Sequence, residues 1–348
     1  MNNHLSVYPT FERQRKTHTM KPIKNPELPL AIWSGQDRIG GKLCQSVTTI
    51  IRSGGCSWNR CTMCQYRHER FFGIDKTELS RLMSAQLRHL DTYIKTQEPD
   101  VVKVYTSGSF FDPHEVPFEI QEQLIEIVKG RMLIVESRCE YIDAEILSRH
   151  IEHIKEGGED GNICVAIGLE TTSNTIREKC IDKGLVFSDY LQACTTVHIQ
   201  GGLVKTYLLH KPPYLTEREA YDDMLRSIQE IVPVTDLISM NPCTIQNRTH
   251  LETLWKQHAY RPPYLWSVAA ILAQAPVHVT CDPIGGGQIR GPHNCGRCDN
   301  MILDAIRDYN ISADQELMKA VMEIECNCKE EWEYVMEKEY PWAMPLTR

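Results

Sequence analysis

The chain has 348 residues, 42% of them hydrophobic, and a formal net charge of −8. That is apolar chain enough for one large domain with an appendage, or two domains, but no run approaches the roughly 18 apolar residues of a membrane helix. The N-terminus lacks the apolar core of a secretion signal, so a cytoplasmic protein with no membrane partner is expected, and its fourteen cysteines read as metal ligands and buried thiols rather than disulfides. Residues 1–76 carry 12 Lys+Arg against 5 Asp+Glu, leaving 26 against 41 for the rest. A net-negative chain is not a general nucleic-acid binder, yet this basic first quarter suits a nearby phosphate backbone, or a solvated arm.

In chain order, residues 1–44 read as a basic N-terminal arm and lead-in, Pro-punctuated to residue 30, with a short helix expected at 31–36. Strand-like runs follow at 45–53, 101–107, 132–137, 163–170, 203–210 and 234–243. Helix-like stretches at 77–96, 116–129, 144–155, 188–199 and 216–231 lie between them. This alternation predicts an α/β fold of six βα units on a parallel sheet over 45–250. A C-terminal region, 251–348, carries an aromatic and basic loop, a second group of cysteines and an acidic terminal helix held by Trp332 and Val335.

Just after the first strand run, Arg52-Ser-Gly-Gly-Cys-Ser-Trp-Asn-Arg-Cys-Thr-Met-Cys places Cys56, Cys61 and Cys64 within nine residues. Three thiolates suit a [4Fe–4S] cluster with one iron left open; a structural zinc knuckle completed by His68 is the alternative. In parallel sheets of this kind chemistry gathers at the C-terminal strand ends. There lie Ser107, Gly108 and Ser109; Glu136 and Arg138, the latter a fork suited to a carboxylate; and Glu170, a carboxylate closing an apolar strand. Asn241 lies in the turn that ends the sixth strand run. His210 and Lys211 at the fifth strand end, and Tyr260 and Arg261 in the aromatic loop, are candidates for touching substrate. The bland reading of that loop is a hydrophobic corner. Cys281, Cys295, Cys298, Cys326 and Cys328 offer four ligands of five for a structural zinc, or for a second iron–sulfur cluster.

The cysteine loop resembles that of the radical S-adenosylmethionine (SAM) superfamily, with C-x4-C-x2-C in place of the usual C-x3-C-x2-C, and the run Glu136-Ser-Arg-Cys-Glu-Tyr141 is similar to the Elongator catalytic subunit-like branch. Together with Thr106-Ser-Gly-Ser-Phe-Phe-Asp112, Gly168-Leu-Glu-Thr171, Asn241-Pro242 and Tyr260-Arg-Pro-Pro-Tyr-Leu-Trp266, these motifs resemble the archaeosine-synthesis radical SAM enzymes (RaSEA). The resemblance implies a (β/α)6 partial TIM-type barrel. It implies a [4Fe–4S] cluster on Cys56, Cys61 and Cys64, SAM held near Ser107–Ser109 and by Glu170 at its ribose, and a 5′-deoxyadenosyl radical that takes hydrogen from the substrate. The implied substrate is tRNA whose D-loop carries 7-cyano-7-deazaguanosine joined to lysine, cleaved at a carbon–nitrogen bond to leave archaeosine. The implied partners are the lysine-transferring archaeosine synthase (ArcS) and an electron donor such as ferredoxin or flavodoxin. Two alternatives remain: another radical SAM tRNA-modifying enzyme, Elongator-like or methylthiotransferase-like, and a non-enzymatic zinc protein that binds RNA.

Overall fold

The computed structural model describes residues 25–340; the arm expected over 1–30 falls almost wholly outside them. An eight-stranded sheet runs in sequence order. Its strands are β1 (Ala31–Ile39), β2 (Lys42–Ile50), β3 (Val101–Tyr105), β4 (Met132–Ser137), β5 (Asn162–Glu170), β6 (Leu203–His210), β7 (Leu237–Pro242) and β8 (Val279–Cys281). β1 pairs antiparallel with β2, and every later neighbour is parallel. The helix expected at 31–36 is therefore an edge strand. Gly40 and Gly41 both take positive φ, the turn that matches the twist of a two-residue hairpin.

Helices α1 (Lys76–Gln97), α2 (Phe118–Ile127) and α3 (Ala144–Lys155) cross between the strands as the periodicity predicts. After β5 a short turn, α4 (Asn174–Ile176), runs into a π-helical turn, Arg177–Ile181. α5 (Phe187–Ile199) and α6 (Glu217–Ile231) complete the crossovers, and α6 opens on a full capping box between Thr216 and Glu219. The parallel strands carry near-continuous buried runs because helices cover their outer face; Ile163–Ile167 on β5 is buried throughout.

The chain beyond residue 250 is built into this framework. α7 (His250–Lys256) is followed by α8 (Leu265–Gln274), in which Leu265 through Leu272 are all buried. Such a helix has no polar face, so amphipathic periodicity cannot reveal it. β8 then adds a strand beyond the six expected. α9 (Asp299–Ser312) touches both edges of the sheet: Arg38 on β1 donates to Ile311 O, and Asn310 exchanges two hydrogen bonds with the backbone of Cys281 on β8. α10 (Gln315–Met322) and α11 (Asn327–Lys338) complete the region, with Trp332 buried as its position in the terminal helix implied.

Candidate active site at the cysteine loop

The loop after β2 is held from three sides. On the first, Glu115 is fully buried and ties two loops together: it accepts from Ser53 Oγ at 2.9 Å and from Ser109 N at 2.7 Å, while its carbonyl accepts from Gly54 N at 2.9 Å. Burial pushes its carboxyl above the ordinary value, and the hydrogen bonds oppose that shift. Gly108 sits directly against the first cysteine, since a Cβ there would meet Cys56 Cβ at 2.6 Å. On the second side, Trp58 Nε1 donates to Asp182 O at 2.6 Å, and Thr62 bonds Ile181 and Cys180 backbone oxygens. On the third, Gln65 N donates to Gln246 Oε1 at 2.8 Å and Gln65 Oε1 accepts from Asn247 N at 3.1 Å.

Cys56, Cys61 and Cys64 are free and half-buried. Burial raises the Cys61 thiol and pushes Cys64 up to about 12. Naked thiolates are therefore costly here, and a metal that deprotonates them outright removes the cost. Their donor set fits an iron–sulfur cluster, which gives each cysteine a separate iron. The second cysteine group is different. All four sulfurs of Cys295, Cys298, Cys326 and Cys328 lie within 4.8 Å of one another, the one such group among the described residues. Sulfur pairs there stand 3.4 to 3.6 Å apart, close to the roughly 3.8 Å edge of a tetrahedron with Zn–S bonds of about 2.3 Å. That geometry fits one mononuclear tetrahedral ion. Asn294 Nδ2 donates to Cys298 Sγ and Trp266 Nε1 to Cys328 Sγ, the supporting bonds that thiolate ligands require. Cys281, the fifth candidate, is buried on β8 and lies outside the group.

The remaining candidates fall into two sets. Those at the strand ends gather round the cysteine loop. Glu170 has φ +70 at a bulge in β5 and is ion-paired with Lys183 at 2.8 Å. Gly168 leaves room for the pair, as a Cβ there would lie 2.7 Å from Lys183 Nζ. Burial lowers the Lys183 pKa, but Glu170 and the Cys61 sulfur outweigh it and the net shift is upward. Sequence reasoning passed over Lys183, although its place in the run 177–184 after a strand-end carboxylate was a usable signal. Glu136 has no side-chain partner among the described residues, and burial raises its pKa to about 7, with Glu115 adding to the shift. The hydroxyls of Tyr105 and Tyr207 lie 3.4 Å apart, and Glu136 acts electrostatically on both. Asn241, one residue from the end of β7, lies opposite Leu209. Arg138 is placed differently from the free fork expected: its guanidinium bonds Glu140, Lys183 O and Gly184 O, and stacks 5.1 Å from the Trp58 ring. It fastens the 183–184 segment to the cysteine loop. Ser107 is half-buried, and Ser109 Oγ accepts from Arg138 N.

The second set is engaged in packing. His210 and Lys211 are buried; Lys211 is ion-paired with Glu217 at 2.7 Å, and Tyr260 donates to Lys211 O. Glu217 also accepts from Tyr264 N and Ser267 Oγ. Arg261 bonds Pro262 O and His293 O, with its guanidinium 3.4 Å from the Tyr264 ring centroid. Tyr260, Tyr264 and Trp266 are buried, so these three rings pack as a hydrophobic corner.

The chain is 34% identical over 345 residues to the archaeosine synthase subunit beta of Methanosarcina acetivorans, covering 95% of this chain and 96% of that protein. It belongs to the archaeosine synthase subunit beta family. The subunit beta of Thermococcus kodakarensis is 32% identical over 324 residues, 88% of this chain and 97% of that protein. Among solved structures, Elp3 of Methanocaldococcus infernus superposes with a TM-score of 0.47 at 14% identity, covering 68% of this chain and 60% of that one. Methylornithine synthase gives 0.42 at 17% identity over 59% and 56%. No family model matches the chain. Membership makes the chain an enzyme of archaeosine synthesis. Among the described residues no helix is long and apolar enough to cross a membrane.

Proposed function

We propose that this chain is the radical SAM component of archaeosine synthesis, converting lysine-modified 7-cyano-7-deazaguanosine in the tRNA D-loop to archaeosine by cleavage of a carbon–nitrogen bond. The observation that carries the reading is a three-cysteine loop locked at the C-terminal end of a parallel barrel against the 106–115 turn. Cys56, Cys61 and Cys64 would hold a [4Fe–4S] cluster, which supplies an electron for reductive cleavage of SAM when bound.

The chain's own residues orient and shield. Ser107, Gly108 and Ser109 present backbone beside Cys56, where the amino group of SAM would lie. Glu170, fixed by Lys183, faces the same space as an acceptor for ribose hydroxyls, with Asn241 across the mouth near the adenine. Glu136 is left to accept a hydrogen bond or a positive charge from SAM or substrate. The four-cysteine group of the C-terminal region would hold a structural zinc. An archaeosine synthase partner subunit would deliver the lysine adduct, and ferredoxin or flavodoxin would supply the electron in the cytoplasm.

The test is an anaerobic incubation of lysine-modified tRNA with protein, SAM and reductant, followed by digestion and nucleoside mass analysis. Archaeosine should replace the lysine adduct. An intact adduct alongside 5′-deoxyadenosine would reject the substrate while keeping the radical chemistry.

A further inference from the structure

The segment that follows Cys64 forms one rim of the barrel mouth. Residues 52–72 contain Arg52, Arg60, Arg67 and Arg70 against Glu69 alone, in a protein of net charge −8. Two of these arginines are already engaged: Arg60 pairs with Asp182 at 3.2 Å, and Arg52 Nε bonds Glu69 O. Arg67 and Arg70, and Arg248 from the loop after β7, form no ion pair among the described residues. The three belong together, since Arg67 Nη2 reaches Arg248 O at 3.5 Å and all three act electrostatically on His68.

The rim also holds polar atoms with nothing to bond. Arg67 Nε, Arg70 Nε and His68 Nε2 are buried and have no hydrogen-bond partner, a costly state unless a ligand completes it. Two exposed rings flank them, Tyr66 at 41% and Phe72 at 39% exposure, with the Arg70 guanidinium 4.7 Å from the Phe72 centroid. The segment is rigid, because Phe71 N bonds Ser53 O and Gln65 is clamped to the 246–247 loop.

We infer that Arg67, Arg70 and Arg248 form a phosphodiester-binding rim that docks the RNA backbone beside the reacting nucleoside, with Tyr66 as a stacking face for a base at the mouth. This rests on the reading that the substrate is tRNA. Fixed guanidinium groups recognise phosphate oxygens by charge-assisted bonds, and an aromatic ring among them suits a base better than an acidic protein surface.

The test measures tRNA binding by the full-length, cluster-loaded protein across a KCl series. Changing Arg67, Arg70 and Arg248 together to Ala should weaken binding at 0.1 M salt by more than about tenfold and reduce the slope of log affinity against log salt by about 2 to 3. The triple Lys variant should recover most of the slope, and Arg88→Ala on the outer face of α1 should match wild type. Tyr66→Leu should lower affinity with the slope unchanged. Iron content and circular dichroism confirm that each variant is folded. Wild-type affinity and slope in the triple Ala variant would overturn the inference while leaving the tRNA reading intact. Retained tRNA affinity with lost binding to the partner subunit would make the rim a protein dock and overturn it too. A wild-type protein that binds no tRNA would sink both the inference and the reading beneath it.

Discussion

Gly108 lies so close to Cys56 that an added Cβ would sit 2.6 Å from the cysteine Cβ and 2.9 Å from its sulfur. No real Cβ tolerates such contacts, so Gly108→Ala must push the first cysteine out of place or shift the 106–115 turn. The variant should fold, since the clash is confined to the loop pair, but should load iron poorly under anaerobic reconstitution. Iron per chain and cluster absorbance would fall together, with thermal stability changed by about 1–3 kcal/mol at most. Wild-type iron content would show that the turn does not constrain the cysteine loop.

The buried Glu170–Lys183 pair gives a second prediction. Lys183→Met removes one partner and leaves a carboxylate in a largely enclosed site, an imbalance that costs roughly 3–5 kcal/mol for fully buried pairs and somewhat less here, where the side chains are 11–14% exposed. The double variant Glu170→Gln, Lys183→Met should recover much of the stability but not SAM affinity. Chemical denaturation and SAM titration of the loaded protein read the two effects apart.

How far the sequence showed all this differs by residue. The helical and strand periods placed five crossover helices within a few residues, because each turns one apolar stripe to the sheet. The cysteine loop and the strand-end carboxylates were legible because they break an apolar pattern. β1 was not, since its alternation carries polar Ser34, Gln36, Asp37 and Arg38 and resembles a helix end. α8 was hidden by being apolar on every face, and the aromatic loop reads as a substrate-contacting surface as readily as a hydrophobic corner because sequence does not report burial. Lys183 was missed, and Arg138 was expected as a free fork, for a similar reason: which basic residue meets a strand-end carboxylate depends on a fold-back of some 45 residues.

A third prediction concerns pH. His210 is fully buried with neither ring nitrogen partnered, and burial lowers its pKa to about 4. Its folded pKa lies below the unfolded value near 6.5, so the unfolded chain takes the proton first. Stability should therefore fall as pH drops from about 6.5 toward 4, by about 3 kcal/mol at the lower end. His210→Leu should remove that component from the pH profile of urea unfolding. An unchanged acid limb in the variant would assign it to other groups.

The four-sulfur site supplies a fourth. Cys298 caps α9, the helix that touches both edges of the sheet, so ion loss should loosen barrel closure as well as the C-terminal helices. Cys298→Ala or Cys326→Ala should abolish one zinc per chain, and amide exchange should quicken in α9 and β8. Cys281→Ala should keep the zinc. Zinc lost from the Cys281 variant, or iron in place of zinc in the wild type, would contradict the assignment.

Cys56, Cys61 and Cys64 would hold an iron–sulfur cluster with a coordination site open to SAM. Electron paramagnetic resonance of the dithionite-reduced protein, with and without SAM and with iron counted on the same sample, tests it most directly. About four irons per chain are expected, with a reduced-cluster signal that shifts when SAM is added, and loss of both in the triple Cys→Ala variant while the zinc stays. A colourless protein with zinc in both cysteine groups, or a cluster signal indifferent to SAM, would contradict it.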